Sequence, residues 1–250
     1  MGGHADAAAP EPASAAFPWF QPGDSSPGDR APHPHPTTPR MHILLTDILT
    51  CPRCGPELGL ILLADRLEER RVVQGSLGCS NCREMYPIEG GTVDLRVVEG
   101  APSPAAAQDP DGAVRLAALM GLAGAGGTVL VAGPGAELAP AIAALVPGLQ
   151  VVALTAHVVP EDGAPGVSRV AGGPALPVRG GMLRGVALTG GAETPLAEAV
   201  RVLAPGTRLV LDPAPQGAPE ELRRLGAEVL LEQEGVVVAK KPGPAAAPAR

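Results

Sequence analysis

Cys51-Pro-Arg-Cys54 and Cys79-Ser-Asn-Cys82 decide how this chain folds. They contain all four of its cysteines and are separated by 24 residues. Two residues between thiols let a tight turn aim both sulfurs at one point. A second such turn completes a tetrahedron, the geometry of a closed structural zinc site. The all-thiolate set points first to zinc held by Cys51, Cys54, Cys79 and Cys82. A rubredoxin-like iron centre and a redox dithiol or disulfide are the other chemistries this set allows. Four protein ligands leave no open position, so a metal here is scaffold and not catalyst.

The surrounding segment, residues 41–96, has 56 residues and one aromatic, Tyr86. A core of that size is marginal without a staple. Structural zinc supplies apparent binding energy on the order of 10–16 kcal/mol, which acts as folding energy in such a segment. Gly55 suits the turn in which backbone N–H groups point at the thiolates. The expectation is a small zinc ribbon whose residues unfold locally on chelation.

Charge narrows the function classes. The chain carries a net −7, and residues 41–96 hold six Arg or Lys against eight Asp or Glu. Four thiolates around a dication add further negative charge, and a phosphate-binding surface would instead show a basic stripe. A nucleic-acid-binding ribbon is therefore the weakest of the functional readings. Paired thiols with no further cysteine and no signal peptide suit a reducing cytoplasm.

Residues 1–40 are crowded with Pro, Gly, Ala, Ser and His, and they show neither helical nor strand period. That composition predicts disorder. Phe17, Trp19 and Phe20 form an aromatic cluster that is either a short docking motif or unselected sequence. His33 and His35 read as solvated. Met41 opens the first patterned segment, so a start there is an open alternative. Residues 97–113 read as a Pro/Ala linker and residues 242–250 as a second Pro/Ala tail.

Met41-His-Ile-Leu-Leu-Thr-Asp-Ile-Leu-Thr50 predicts a short helix, apolar at Leu44, Leu45, Ile48 and Leu49, entering the first cysteine turn. Strands are expected over 58–64 and 71–78, flanking a charged turn at 65–70. The run from Leu45 to Cys54, together with Cys79-Ser-Asn-Cys-Arg-Glu-Met-Tyr-Pro-Ile-Glu-Gly-Gly91, resembles the small zinc-ribbon family that activates tRNA and release-factor methyltransferases. The resemblance implies the four cysteines as zinc ligands. It also implies a partner-binding role, in which the ribbon stabilises a methyltransferase by pairing with its sheet.

Residues 114–241 read as an α/β unit. Thr128-Val-Leu-Val-Ala132 is a buried strand, and Gly133-Pro-Gly135-Ala-Glu-Leu-Ala139 turns from it into a helix. Backbone N–H groups at such a turn can approach a nucleotide closely. A nicotinamide fingerprint would need glycine where Leu138 stands. Pro195-Leu-Ala-Glu-Ala-Val-Arg-Val-Leu-Ala-Pro-Gly206, followed by Thr-Arg-Leu-Val-Leu-Asp212, resembles class I S-adenosylmethionine methyltransferases. So does Gly172-Gly-Pro-Ala-Leu-Pro-Val178. That resemblance implies a Rossmann-like sheet ending in an antiparallel hairpin over 227–232 and 236–241. It further implies a cofactor site at Gly133, Gly135 and Thr155.

The same resemblance exposes losses. The acid expected after the second strand, to hold the cofactor ribose, is replaced by Thr155. Val131 stands for the acid in the first strand, Glu137 for the third glycine, and Gly172, Gly173 and Pro174 for the acid near the adenine. Each lost charge-assisted hydrogen bond costs roughly 1.5–3 kcal/mol. Residues 97–250 contain no Phe, Tyr, Trp or Cys, so no aromatic platform exists there for a base. His157, the one histidine in that segment, reads as structural or exposed. Residues 116–136 lack charge, but their glycines make a poor membrane span. The favoured expectation is a zinc-binding scaffold or regulatory protein with a degenerate, non-catalytic methyltransferase-like domain, whose partner through the ribbon is an active methyltransferase or another protein. A working S-adenosylmethionine-dependent methyltransferase acting on a small molecule or protein is the alternative.

Overall fold

Thr128-Val-Leu-Val-Ala132, Gln150-Val-Val-Ala-Leu-Thr155 and Leu183-Arg-Gly-Val-Ala-Leu-Thr189 are near-continuous apolar runs, the pattern of strands covered on both faces. A computed structural model describes residues 1–2, 41–97, 110–159 and 163–243. Apart from Met1 and Gly2, the tail reading for 1–40, with Phe17, Trp19, Phe20, His33 and His35, lies outside the described residues. So do residues 98–109 of the linker, 160–162 and 244–250.

The strands are β1 (Met41–His42), β2 (Ile61–Glu68), β3 (Arg71–Gly78), β4 (Met85–Glu89), β5 (Thr92–Asp94), β6 (Thr128–Ala132), β7 (Gln150–Thr155), β8 (Val167–Ala171), β9 (Leu183–Thr189), β10 (Leu203–Asp212), β11 (Glu228–Gln233) and β12 (Val236–Lys240). The helices are α1 (Pro110–Leu119), α2 (Ala139–Leu145), α3 (Leu196–Val202) and α4 (Ala218–Arg224). Helix α1 begins inside the stretch read as linker. All the strands join one sheet in the order β1-β3-β4-β5-β8-β7-β6-β9-β10-β12-β11, with β2 on the free side of β3. From β8 to β10 the neighbours are parallel, and β12 runs antiparallel to both β10 and β11. The α/β part is thus Rossmann-like and mixed, and it carries the expected terminal hairpin.

Several local readings change. The short helix expected within residues 41–50 is present but shorter. β1 pairs with β3, and a five-residue 3-10 helix follows at Ile43–Asp47. Leu45, Ile48 and Leu49 are buried while Leu44 is exposed, because the tighter helix turns Leu44 outward. The charged turn at 65–70 shrinks to Glu69 and Arg70, whose φ values of 48° and 65° close the β2–β3 hairpin. Asp65, Arg66 and Glu68 are therefore strand residues on an outer edge.

The ribbon is welded to the α/β sheet. Strand β5 pairs antiparallel with β4 and parallel with β8, in the register Val93 to Val170 and Asp94 to Ala171. Leu95 N donates to Ala171 O at 2.8 Å. Around this seam Thr50 N donates to Pro177 O, Arg179 N to Ile48 O, and His42 N to the Ser168 hydroxyl. Arg201 donates to the Val178 and Leu176 carbonyls and pairs with Glu198, fixing the segment that the ribbon grips. One apolar cluster holds Leu49, Tyr86, Ile88 and Leu95 of the ribbon together with Leu130, Val178, Leu196 and Leu222. A second cluster, under α1 and α2, covers the other face of the sheet.

A shared core couples the halves, so chelation should not melt residues 41–96 alone. Metal release followed with a chromogenic chelator and loss of far-UV circular dichroism should coincide on heating. Two resolved transitions would show the halves to be independent. A pH effect follows from His42, whose imidazole is held below its ordinary 6.5 by burial, then by the charges of Arg71 and Arg70. The folded state resists its protonation, so this contribution is present above 6.5 and is lost as pH falls through that value. The melting temperature should therefore drop more between pH 7.5 and 5.5 in the wild type than in His42→Asn.

Candidate functional sites

The cysteine turns are built alike. Gly55 N donates to Cys51 O at 3.0 Å, and Arg83 N donates to Cys79 O at 2.9 Å. Both closing residues take left-handed backbone, φ 92° at Gly55 and 63° at Arg83. Cys51 and Cys79 are buried, whereas Cys54 and Cys82 lie toward solvent. The four sulfurs fall within 4.8 Å of one another. Cys51 to Cys82 is 3.6 Å and Cys54 to Cys79 is 3.8 Å. A tetrahedron with metal–sulfur bonds of about 2.3 Å has edges of about 3.8 Å, so this donor set fits zinc in size and in softness.

Electrostatics set the four thiols apart from one another. Burial pushes the Cys51 thiol up, but hydrogen bonds from the Tyr86 hydroxyl and from the backbone at Cys54 and Arg53 outweigh it and bring the group to about 7. At Cys82 a backbone hydrogen bond at Glu84 works downward. Desolvation and the sulfurs of Cys54, Cys51 and Cys79 overcome it and raise the thiol to about 12. Four thiols in contact cannot all ionise without a compensating positive charge. Arg53 pairs with Glu84 across the two turns, at the exposed rim.

The glycine turn is the second candidate. Gly133 follows β6 with φ 81°, and residues 134–138 form a 3-10 turn before α2. Its close approach is to the protein itself. A Cβ at Gly133 would lie 2.3 Å from the Thr189 carbonyl oxygen, and one at Gly135 would lie 2.7 Å from Thr189 Cγ2. Thr189, buried at the end of β9, accepts from Gly135 N at 2.7 Å and donates to Ala132 O at 2.7 Å. Thr155 ends β7 as expected, but its hydroxyl donates to the His157 carbonyl at 2.7 Å. Gly133, Gly135 and Thr155 thus lie at neighbouring strand ends, with the Gly135 N–H and the Thr155 hydroxyl taken up internally.

Three acids near the strand ends, Glu137, Asp94 and Asp212, are each held by an arginine. Glu137 lies 3.5 Å from Arg169, whose side chain is 4% exposed. Asp94 pairs with Arg96 at 2.7 Å, and Asp212 with Arg115 at 2.6 Å. The Arg96 hydrogen bonds hold the Asp94 carboxyl below the usual carboxylate range. Glu137, which stands where the resemblance implies a third glycine, is part of a protein ion pair. Sequence reasoning passed over Thr189 and Arg169. An arginine inside Val167-Ser-Arg-Val-Ala171 was the available signal, since a buried strand admits such a charge only with a partner.

A separate cavity of about 330 Å³ opens at the carboxyl ends of β9 and β10, lined by Leu188, Glu193, Thr194, Leu211, Pro213 and Glu221 among others. None of Gly133, Gly135 and Thr155 lines it. Among the described residues no helix is long and apolar enough to cross a membrane.

Residues 42–91 match the family model described as Trm112p-like protein. No curated protein matches the chain. Solved structures similar to it include a geranyl diphosphate methyltransferase in complex with S-adenosylmethionine, at 13% identity and TM-score 0.44, covering 53% of this chain and 85% of that one. A precorrin-6y C5,15-methyltransferase from Geobacter metallireducens matches at 16% identity and TM-score 0.43, covering 56% and 93%. A complex between the Haloferax volcanii Trm112 methyltransferase activator and a protein assigned as a methyltransferase matches at 15% identity and TM-score 0.39, covering 53% and 93%.

Thr189→Val keeps shape but strands the Gly135 N–H and the Ala132 carbonyl. Urea unfolding should show a loss of about 1–3 kcal/mol. A neutral substitution would mean that the turn is held by something other than this hydroxyl.

Proposed function

We propose that this chain is an activator-type zinc ribbon joined to its own methyltransferase-like sheet, working as a non-catalytic scaffold or regulatory protein. The observation that carries the reading is the parallel pairing of β5 with β8. The ribbon family stabilises methyltransferases by sheet pairing, and here that pairing is made within one chain. The partner of the ribbon's last strand is intramolecular, so any further methyltransferase would be met by another surface.

Cys51, Cys54, Cys79 and Cys82 would hold zinc, and its closed coordination would supply folding energy alone. S-adenosylmethionine does not fit the residues present. The Gly135 N–H and the Thr155 hydroxyl have internal partners, and Glu137 is bound to Arg169. One observation favours the alternative of a working methyltransferase: the sheet is complete, with its glycine turn at the end of β6.

Two measurements test this. Metal analysis of the purified chain should find one zinc, and Cys51→Ser should lose it together with stability of the whole sheet. A chain purified from zinc-replete medium without metal would remove the zinc reading. Calorimetric titration with S-adenosylmethionine and S-adenosylhomocysteine should show no binding up to about 1 mM. Tighter binding, with methyl transfer to any acceptor, would return the chain to the enzymes.

A further inference from the structure

Tyr86 is the only aromatic residue from Met41 to Arg250. It sits in β4 opposite Leu77 of β3, and its ring is 4% exposed within the core shared by ribbon and α/β sheet. A phenol buried in an apolar core needs a partner for its hydroxyl. That partner is Cys51 Sγ, 3.3 Å away and on a fully buried residue. On the exposed side of the cluster Asn81 Nδ2 donates to Cys54 Sγ, also at 3.3 Å.

We propose that Tyr86 is a positioning residue for the metal: its hydroxyl donates to the Cys51 thiolate, aims that sulfur at the shared centre and sets how tightly the ion is held. The proposal rests on the reading of the four cysteines as a metal site. Four thiolates around a dication carry a net double negative charge, and Cys51 holds its share where water does not reach. A charge-assisted hydrogen bond at that sulfur compensates it. Outer donors of this kind fix ligand orientation and basicity. Asn81 makes the same contact where solvent can replace it, so the two donors are unequal. Tyr86 also ties the ligand to β4, which links metal occupancy to the core common to both halves.

Cobalt(II) serves as the probe, titrated into the full-length apo-protein with a competing chelator. Tyr86→Phe keeps the ring and removes only the donor. It should weaken cobalt and zinc binding roughly 10–100-fold and shift the sulfur-to-cobalt charge-transfer band, with the far-UV spectrum unchanged. Asn81→Ala should change affinity less than about threefold, since water takes its place. Wild-type affinity and an unshifted band in Tyr86→Phe would overturn the proposal. Equal losses in the two variants, or an equal drop in the melting temperature of apo and loaded Tyr86→Phe, would reduce Tyr86 to packing. A wild-type chain that takes up no cobalt would remove the metal reading itself, and this proposal with it.

Discussion

The edge of β8 is the constraint on which the rest of the molecule depends. Parallel strands are buried on both faces, and their edge exposes a row of unpaired N–H and C=O groups. Strand β5 closes that row, and Val93 and Leu95, both fully buried, seal it from the side. Burying side chains of this size contributes roughly 1.5–3 kcal/mol each. Strands β2 and β11 also lie at edges of the sheet. Both are bulged and carry charges, Asp65, Arg66 and Glu68 on one and Glu228 and Glu232 on the other. Edges of that kind resist further strand addition. The sheet is thus closed along β8 by the ribbon, and blunted at β2 and β11.

With the edge closed, the carboxyl ends of the strands define what the α/β part can bind. Ligands of open α/β sheets sit there, where strand order reverses. In this chain the reversal falls between β6 and β9. Thr189 bridges the two strands at that point, bonding Gly135 N and Ala132 O. The glycines that read as a cofactor cradle are explained by the approach of Thr189. Around them Glu137, Asp94 and Asp212 are neutralised by Arg169, Arg96 and Arg115. The internal hydrogen bonds of the turn and these ion pairs thus occupy the same end of the sheet.

Much of this was legible in the residues. The cysteine spacing foretold the clustered sulfurs, because a two-residue gap has few conformations that satisfy its backbone. The apolar runs of β6, β7 and β9 and the terminal hairpin were equally plain, since burial on both faces leaves a continuous signal. The short elements were less legible. The segment opening at Met41 reads as a short helix, and the five residues that form it are too few to separate an α from a 3-10 turn by pattern. Asp65 to Glu68 read as a turn because edge strands carry charges for protection, the composition that loops also favour. The Thr189 bridge and the Glu137–Arg169 pair were hidden for another reason. Both join residues far apart in sequence, and only the sheet order brings them together.

The absence of aromatics from the α/β part bears on what the metal does. Leu, Val and Ala fill both clusters, so each buried residue contributes at the lower end of the usual range. A sheet cored this way gains from any neighbour that covers it. The ribbon supplies that cover on the α3 and α4 face, and Tyr86 is its one large ring. Yet the ribbon is itself too small to keep its shape unaided. Ion binding at Cys51, Cys54, Cys79 and Cys82 would be passed through Tyr86, Leu49 and Leu95 into Leu130, Val178 and Leu196, members of one continuous cluster. The energy of a structural metal, on the order of 10–16 kcal/mol, is comparable with the whole stability of an ordinary domain. In this architecture it would not remain local, because one apolar cluster runs from the cysteine lobe into the sheet that leans on it.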